Sequence, residues 1–154
     1  MRLALDNGGV VAAWVAKLIP YVGEQGFGPS EALAVVSADD RIMAGVVFHE
    51  YRPDAGTIQL SCAAVTPKWA TVRIIMAILR YPFVQLAVNK CWTAIPHDNE
   101  RAIRFNKGIG FKQEAVLRHQ FGPKRHAAIC SMMRGEYLRR YAGGQENAKH
   151  ASGA

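Results

Sequence analysis

Three short apolar runs, separated by segments of turn length, constrain the fold more than any other feature of this sequence. The runs are A-L-A-V-V-S (32–37), I-M-A-G-V-V-F-H-E-Y (42–51) and T-I-Q-L-S-C-A-A-V (57–65). The connecting segments A-D-D-R and R-P-D-A-G consist of residues that favour turns. Loops of this length between strand-like runs predict three consecutive antiparallel strands.

The rest of the chain alternates between segments with helical and with strand-like periodicity. The predicted helices cover residues 9–22, 69–86, 99–108 (or 110) and 135–141. The further predicted strands cover residues 90–96, 111–119 and 126–134. A strand–helix–strand crossover over 57–96 requires one parallel strand pair. The predicted fold class is therefore α/β (α+β), a mixed and mostly antiparallel sheet with helices on both faces.

Length and composition indicate one globular domain. The chain has 154 residues, of which 50% are hydrophobic and 20% are charged, and this suffices for a buried core. We assign the domain to residues 1–141. The segment 142–154, A-G-G-Q-E-N-A-K-H-A-S-G-A, has no apolar periodicity and is predicted to be a disordered tail.

The charge of the chain points to an anionic partner. There are 19 Lys and Arg against 12 Asp and Glu, a formal charge of +7, so nucleic acid, a polyphosphate cofactor or an acidic surface are all candidates. The apolar patch V-V-A-A-W-V-A is too short to span a bilayer and lacks the features of a signal peptide. We therefore expect no membrane partner and a cytoplasmic location, in a bacterium or a phage-infected cell.

Three segments of the second half carry a family pattern. They are N-E-R-A-I-R-F-N-K-G-I-G-F (99–111), V-L-R-H-Q-F-G (116–122) and A-A-I-C-S-M-M-R-G-E-Y (127–137). Together with the predicted order of elements, this pattern resembles the C-terminal half of the GNAT N-acyltransferases. T-I-Q-L-S, T-P-K-W and R-Y-P-F look closest to short GNAT-like proteins encoded in phages and prophages. The resemblance implies transfer of an acetyl group from acetyl-CoA (coenzyme A) to an amine by direct attack, with a cofactor cleft at the parallel strand pair.

The resemblance also locates the segment that would hold the cofactor pyrophosphate. The family uses backbone amides of a glycine-rich loop at a helix N-terminus, and V-T-P (65–67) matches its V-x-P and sets the register. The marker positions are filled here by Ala70, Arg73 and Ile75. Either cofactor binding has been lost, or the side chains of Lys68, Thr71 and Arg73 hold the phosphates. The cofactor-binding set implied by the resemblance is Val65, Lys68, Trp69, Thr71, Arg73, Asn99 and Phe105.

Two of these positions carry more than one interpretation. In the family, the residue at Asn99 contacts the pantetheine arm, and an Asn there is also an ordinary helix N-cap. Trp69 is either a core residue or a cap on the cofactor cleft. The family often has a Tyr that protonates the departing thiolate, and that position is Asn106 here, which is not an acid. If the protein is an enzyme, another group or solvent must supply the proton.

Amine acylation needs a base, and H-E-Y-R (49–52) offers the candidates. Glu50 or His49 could act as the base and Tyr51 as a proton donor. Strand alternation places His49 and Tyr51 on one face and Glu50 on the other, unless a bulge intervenes. The alternative is a strand end that merely reaches solvent. With Ser61, these residues form the predicted catalytic set.

The acceptor amine is predicted to contact Gln59 and His119. Gln59 and Ser61 share one face of the strand that leads into the cofactor segment, where the family places groups that contact the acceptor. His119 could line the same site together with Arg118. His97 has no partner at metal-ligand spacing, and we predict no metal site.

Three functions remain open at the level of the sequence. The leading hypothesis is an N-acetyltransferase, an acyltransferase of the EC 2.3.1 type, that acts on a small-molecule or protein amine as a monomer or homodimer. The second is a phage-type DNA-modifying GNAT relative (Mom-like) that acts on a nucleobase. The third is a non-catalytic binding module with a GNAT fold.

Overall fold

The computed structural model describes residues 1–6 and 9–142 of the chain. All of the predicted tail 142–154 except its first residue lies outside the described residues. The elements are β1 (Arg2–Leu5), α1 (Val10–Leu18), β2 (Ser30–Val36), β3 (Ile42–Arg52), β4 (Thr57–Ala64), α2 (Val72–Arg80), β5 (Lys90–Pro96), α3 (Glu100–Ile109), β6 (Lys112–Leu117), β7 (Ala127–Met133) and α4 (Arg134–Tyr137). Every predicted element is present, and β1 is an additional strand.

The first four strands form an antiparallel meander within the N-terminal unit, residues 1–81. In its register Leu33 faces Val46, and His49 faces Gln59. The three consecutive antiparallel strands predicted from the apolar runs are thus confirmed as β2, β3 and β4. Strand β1 adds to the edge by pairing with β2.

Both faces of β3 are covered within this unit. On one face, Val11 and Val15 of α1 pack in a cluster that includes Val47. On the other face, the Phe48 ring lies 4.9 Å from the ring of Tyr81, which follows α2. Because adjacent strand residues point to opposite faces, helical segments cover the sheet from two sides, as predicted.

The predicted helix 69–86 is divided into three segments by local chemistry. A 3₁₀ turn, Pro67–Trp69, precedes α2, and a π-helical turn, Tyr81–Gln85, follows it. The Thr71 side chain caps α2 by accepting a hydrogen bond from the Ile74 N–H at 3.3 Å. Pro82 has no N–H to continue the hydrogen-bond ladder, so the α-helix gives way to an irregular turn at this point.

The C-terminal unit, described over residues 82–142, contains the other three strands. Strand β7 lies between β5 and β6 and is antiparallel to both. Helix α3 ends at Gly110, whose φ of 111° is a conformation that favours glycine. The Phe83 and Tyr137 rings stack at 4.7 Å, and the Tyr141 hydroxyl donates to the Ile109 carbonyl. These contacts fix the chain after α4.

The strand order of the sheet is β1-β2-β3-β4-β5-β7-β6, in which β4 and β5 are the parallel neighbours. The predicted mixed and mostly antiparallel sheet is therefore confirmed. Over residues 1–6 and 9–142, no helix combines the length and the hydropathy needed to cross a membrane.

Candidate functional site

His49 and Ser61 form a hydrogen-bonded pair on adjacent strands. The His49 Nε2 atom lies 2.8 Å from the Ser61 Oγ atom. In the β3–β4 register, Val47 faces Ser61 and His49 faces Gln59, so the two polar residues meet diagonally on one sheet face. The structure thus brings together His49, Ser61 and Gln59 of the residues predicted from the sequence.

The surroundings of His49 keep its imidazole neutral. The side chain is buried, and the Phe27 ring lies 4.8 Å from it. Burial lowers the pKa of His49 below its usual value of 6.5, and the nearby Glu50 charge opposes this shift only in part. A neutral imidazole with a hydroxyl partner can accept a proton near pH 7.

A β-bulge separates Glu50 and Tyr51 from this pair. The register passes from His49 opposite Gln59 to Arg52 opposite Thr57, so β3 has one residue more than β4 over this interval. Glu50 takes a left-handed conformation with a φ of 52°. The simple alternation expected over 49–51 is therefore wrong, and the bulge, which the sequence left open, accounts for it. Glu50 and Tyr51 are both exposed.

The start of α2 has the polarity of an anion-binding segment. Its first turn contains no acidic residue, and Thr71 caps only the Ile74 N–H. The N–H groups of Val72 and Arg73 precede the first intrahelical hydrogen bond and are open to an external acceptor. Lys68 and Arg73 are exposed, and neither has an ion pair over residues 1–6 and 9–142.

The residues around the start of α2 differ in whether their side chains are buried or exposed. Ile75 is 4% exposed, so its side chain belongs to the core. Trp69 is also buried, at 6% exposure. Val65 is exposed and extends the β3–β4 ladder by donating its N–H to the Met43 carbonyl at 2.9 Å. Of the predicted cofactor residues in this unit, Lys68, Thr71 and Arg73 are the ones whose exposed side chains lie at the helix start.

In the C-terminal unit, Asn99 is the N-cap of α3. Its Oδ1 atom accepts a hydrogen bond from the Ala102 N–H at 3.2 Å, and this confirms one of its two predicted roles. The Asn106 Nδ2 atom donates to the Ala102 carbonyl at 2.9 Å, so this amide is engaged within the helix. Phe105 is half-buried.

His119 belongs to a histidine cluster that the sequence analysis missed. The ring centroid of His126 lies 4.9 Å from that of His119 and 4.8 Å from that of His97. The β5–β7 register places Pro96 opposite Ala127, and this pairing brings His97 and His126 together across 29 positions. The signal in the sequence was the position of one histidine directly after β5 and another directly before β7. In the described part of the chain, no group of three or more His, Cys, Asp or Glu is arranged to hold a metal ion.

Comparison with known proteins gives a clear result only for the fold. No family profile and no curated protein sequence matches the chain. Among solved structures, a mutant of the spermidine N-acetyltransferase SpeG from Vibrio cholerae matches with a TM-score of 0.72 and 15% identity, over 91% of this chain and 99% of that chain. The chain has the GNAT fold.

Two further SpeG structures from Vibrio cholerae agree with this result. A dodecameric structure in an intermediate state has a TM-score of 0.72 and 16% identity, over 90% of this chain and 96% of that chain. A complex with manganese ions has a TM-score of 0.68 and 14% identity, over 90% and 95% of the two chains. At these identities the likeness extends to the fold, so the chemistry must be argued from the residues of this chain.

Proposed function

We propose that this GNAT-fold protein is an acyl-CoA-dependent N-acyltransferase that transfers an acetyl group from acetyl-CoA to an amine by direct attack. The observation that carries the proposal is the hydrogen bond between a buried, neutral His49 and Ser61 on a sheet of this fold. Proteins with this fold include N-acetyltransferases, to which the SpeG structures belong. The proposal includes a cytoplasmic location and a monomer or homodimer.

The residues at the start of α2 fit the pyrophosphate of acetyl-CoA. Lys68 and Arg73 supply two exposed cations, and the first-turn N–H groups of Val72 and Arg73 supply backbone donors at the positive end of the helix. Bound acetyl-CoA supplies an acyl group activated as a thioester. In α3, the Asn99 side chain is proposed to contact the pantetheine arm, as the family resemblance implies.

The His49–Ser61 pair is proposed to remove the proton from the attacking amine. In the His49 tautomer with the proton on Nδ1, the Ser61 hydroxyl donates to His49 Nε2 and can accept a hydrogen bond from the amine N–H at the same time. As the amine attacks, its proton passes to Ser61 and the Ser61 proton passes to His49. Gln59, on the same face, can orient the amine.

A different group must protonate the leaving thiolate. Asn106 is not an acid, and its amide already donates to the Ala102 carbonyl. Tyr51 is exposed on the bulge and is a candidate proton donor, with solvent as the alternative. The variant Tyr51→Phe distinguishes Tyr51 from solvent as the proton donor. If Tyr51 is the donor, thiol release slows in this variant; if solvent is the donor, thiol release is unchanged.

Thiol release from acetyl-CoA in the presence of a panel of amines tests the proposal. The panel includes spermidine, the acceptor named for the SpeG structures, together with smaller amines and a lysine peptide. His49→Gln and Ser61→Ala are expected to lower kcat by about 10²–10⁴ and by a smaller factor, respectively, because each removes part of the proton path. Ser37→Ala, in the β2–β3 turn, is the matched serine control.

Two results would contradict the assignment. If His49→Gln keeps the kcat of the wild type, the His49–Ser61 pair is structural and not catalytic. If no amine in the panel supports thiol release by a protein that binds acetyl-CoA, the protein is a binding module and not an enzyme of this kind.

The DNA-modifying alternative rests on the net charge of +7. Kinship to phage and prophage GNAT-like proteins rests on the runs T-I-Q-L-S, T-P-K-W and R-Y-P-F. The DNA-modifying alternative predicts duplex DNA binding whose affinity falls steeply with salt. Binding that is absent at low salt removes this alternative. Transfer to a DNA base without transfer to any free amine would replace the leading proposal.

A further inference from the structure

The loop between β6 and β7 gathers an unusual number of cationic and histidine side chains. We name it the His–Arg loop and define it as residues 118–126 together with His97, which lies beside it. Its cationic and histidine members are His97, Arg118, His119, Lys124, Arg125 and His126. No ion pair involves Arg118, Lys124 or Arg125 over residues 1–6 and 9–142. The carboxylate nearest in sequence is Asp98, which follows His97.

Backbone hydrogen bonds fix the orientation and the tautomer of two imidazoles. The His119 N–H donates to His126 Nδ1 at 2.8 Å, and the Lys124 N–H donates to His119 Nδ1 at 2.8 Å. A backbone N–H can only donate, so both Nδ1 atoms must accept. Each neutral ring therefore carries its proton on Nε2, which leaves two Nε2–H donors for an external acceptor.

The loop holds these donors in a closed and strained backbone. The Phe121 N–H bonds the Arg125 carbonyl at 3.0 Å, and the Arg125 N–H bonds the Gly122 carbonyl at 2.9 Å. His119 and Lys124 both have left-handed conformations, with φ values of 57° and 61°. Non-glycine residues adopt such conformations at a cost and are concentrated at functional sites. The backbone thus fixes the two imidazoles before any ligand arrives.

We propose that the His–Arg loop binds a phosphate monoester. Two Nε2–H groups, two guanidinium groups and one ammonium group offer more donors than a single carboxylate can use, and they match the oxygens of a dianion. Phosphate binding by the loop does not depend on the proposed function. A polycationic amine would be repelled by the same groups.

Occupancy of this site is expected to depend on pH. Partial desolvation and the nearby charges of His97, His119 and Arg118 lower the pKa of His126. Lys124 and Arg125 on the loop add positive charge, and Asp98 beside His97 opposes it. Protonation of His126 at Nδ1 would break the hydrogen bond from the His119 N–H, so the neutral Nε2–H form is the one that binds, and binding is expected to weaken as the pH falls through the range in which His126 titrates.

Binding of O-phosphoethanolamine, with ethanolamine as the matched amine without phosphate, tests the proposal. The readout is the histidine Cε1–H resonances of the full-length protein followed by NMR. O-phosphoethanolamine is expected to shift the His119 and His126 resonances, whereas ethanolamine leaves them unchanged. Arg118→Gln is expected to weaken binding by about tenfold, because it removes a charge-assisted partner. Arg118→Lys recovers part of the loss, and Arg139→Gln, at an exposed arginine after α4, leaves binding unchanged.

This binding test involves no acyl transfer, so its failure and the failure of the proposed function are distinguishable. Equal resonance shifts with the two amines, or none with either, overturn phosphate binding. Binding of a DNA duplex through the loop without binding of O-phosphoethanolamine overturns the phosphate-monoester proposal in favour of nucleic acid.

Discussion

The imidazole of His49 couples the candidate site to the stability of the fold at acidic pH. Burial lowers the pKa of His49 below the value of 6.5 that the ring has in an unfolded chain. Between these two pKa values the unfolded chain binds a proton that the folded chain does not. The stability that the neutral His49 contributes to the fold is therefore fully present above pH 6.5. It is lost as the pH falls from that value towards the lowered pKa.

We expect the free energy of unfolding of the wild type to decrease more between about pH 6.5 and pH 5 than that of His49→Gln, which has no titrating ring. Urea unfolding at a series of pH values measures both slopes. The other four histidines are common to both proteins and cancel in the comparison. Equal slopes would show that His49 titrates alike in the folded and unfolded chains.

Asn99 has a structural role and a proposed ligand role, and two substitutions separate them. Asn99→Ser retains a good N-cap for α3, whereas Asn99→Ala removes the bond to the Ala102 N–H and is expected to cost about 1 kcal/mol. If the carboxamide also contacts the pantetheine arm, both variants raise the KM for acetyl-CoA. Thermal unfolding and initial-rate kinetics give the two readouts. An unchanged KM in Asn99→Ser would restrict Asn99 to capping.

Among the elements, α1 and β3 approach each other closely because residue 45 has no side chain. A Cβ atom at Gly45 would lie 2.5 Å from Val15 Cγ2 and 3.1 Å from Val11 Cγ1. Val15 is fully buried and has no room to move away. Gly45→Ala is therefore expected to destabilise the fold by about 1–3 kcal/mol through overpacking.

A glycine in α3 provides the opposite control. A Cβ atom at Gly108 meets nothing within 4 Å, so Gly108→Ala is expected to stabilise the protein by about 0.5–1 kcal/mol through helix propensity.

The contact between residues 45 and 15 is tested by the double variant Gly45→Ala/Val15→Ala. The smaller residue 15 makes room for the new Cβ atom, so the loss of stability should be less than the sum of the two single losses. Additive losses in urea unfolding would show that Val15 is not the obstacle.

Local patterns predicted the elements, and long-range geometry determined what the sequence did not predict. The apolar runs and turn residues identified β2, β3 and β4, and the Asn and Gly residues identified the two ends of α3. Strand β1 was missed because four residues, R-L-A-L, are too few to show a period. Its position depends on pairing with β2, which no local pattern encodes.

The candidate site was predicted only in part, because long-range geometry also determines which of its residues meet. His49, Ser61 and Gln59 were named from the sequence, but their contact depends on the β3–β4 register. The left-handed conformation of Glu50 belongs to the bulge, and a glutamate gives no sequence signal for it. The cluster around His126 depends on the β5–β7 register in the same way. Residue types indicate which chemistry is available, and the register of the strands determines which groups lie in contact.

The molecule as a whole carries an excess of positive charge. Among the described residues, part of this excess comes from cations that have no ion pair and that lie in the two segments proposed to bind anions. The ion pairs of the described residues are Arg2–Asp40, Arg41–Asp39, Lys90–Glu114 and Lys112–Glu136. Lys68 and Arg73 at the start of α2 take no part in them, nor do the cations of the His–Arg loop. Neutralisation of these groups by ligands should therefore stabilise the folded chain.

Thermal unfolding in the presence of acetyl-CoA tests this at the level of the whole protein. At a free concentration of about 100 Kd, a ligand that binds only the folded state adds about 2.7 kcal/mol to the free energy of unfolding. For a chain of this size the corresponding rise in Tm is about 5–10 °C. Free CoA retains the pyrophosphate and should give a similar rise, whereas N-acetylcysteamine, which lacks the nucleotide, should give none.

Two arginines of α2 make the test specific to the helix start. Arg73→Gln should reduce the rise in Tm because it removes a cation from the first turn, whereas Arg80→Gln, in the last turn of the same helix, should leave the rise unchanged. The rise should also shrink with added salt, since exposed charges are screened. A wild-type Tm that does not move at millimolar acetyl-CoA, or an equal rise in Arg73→Gln, would show that this helix start does not bind the cofactor phosphates.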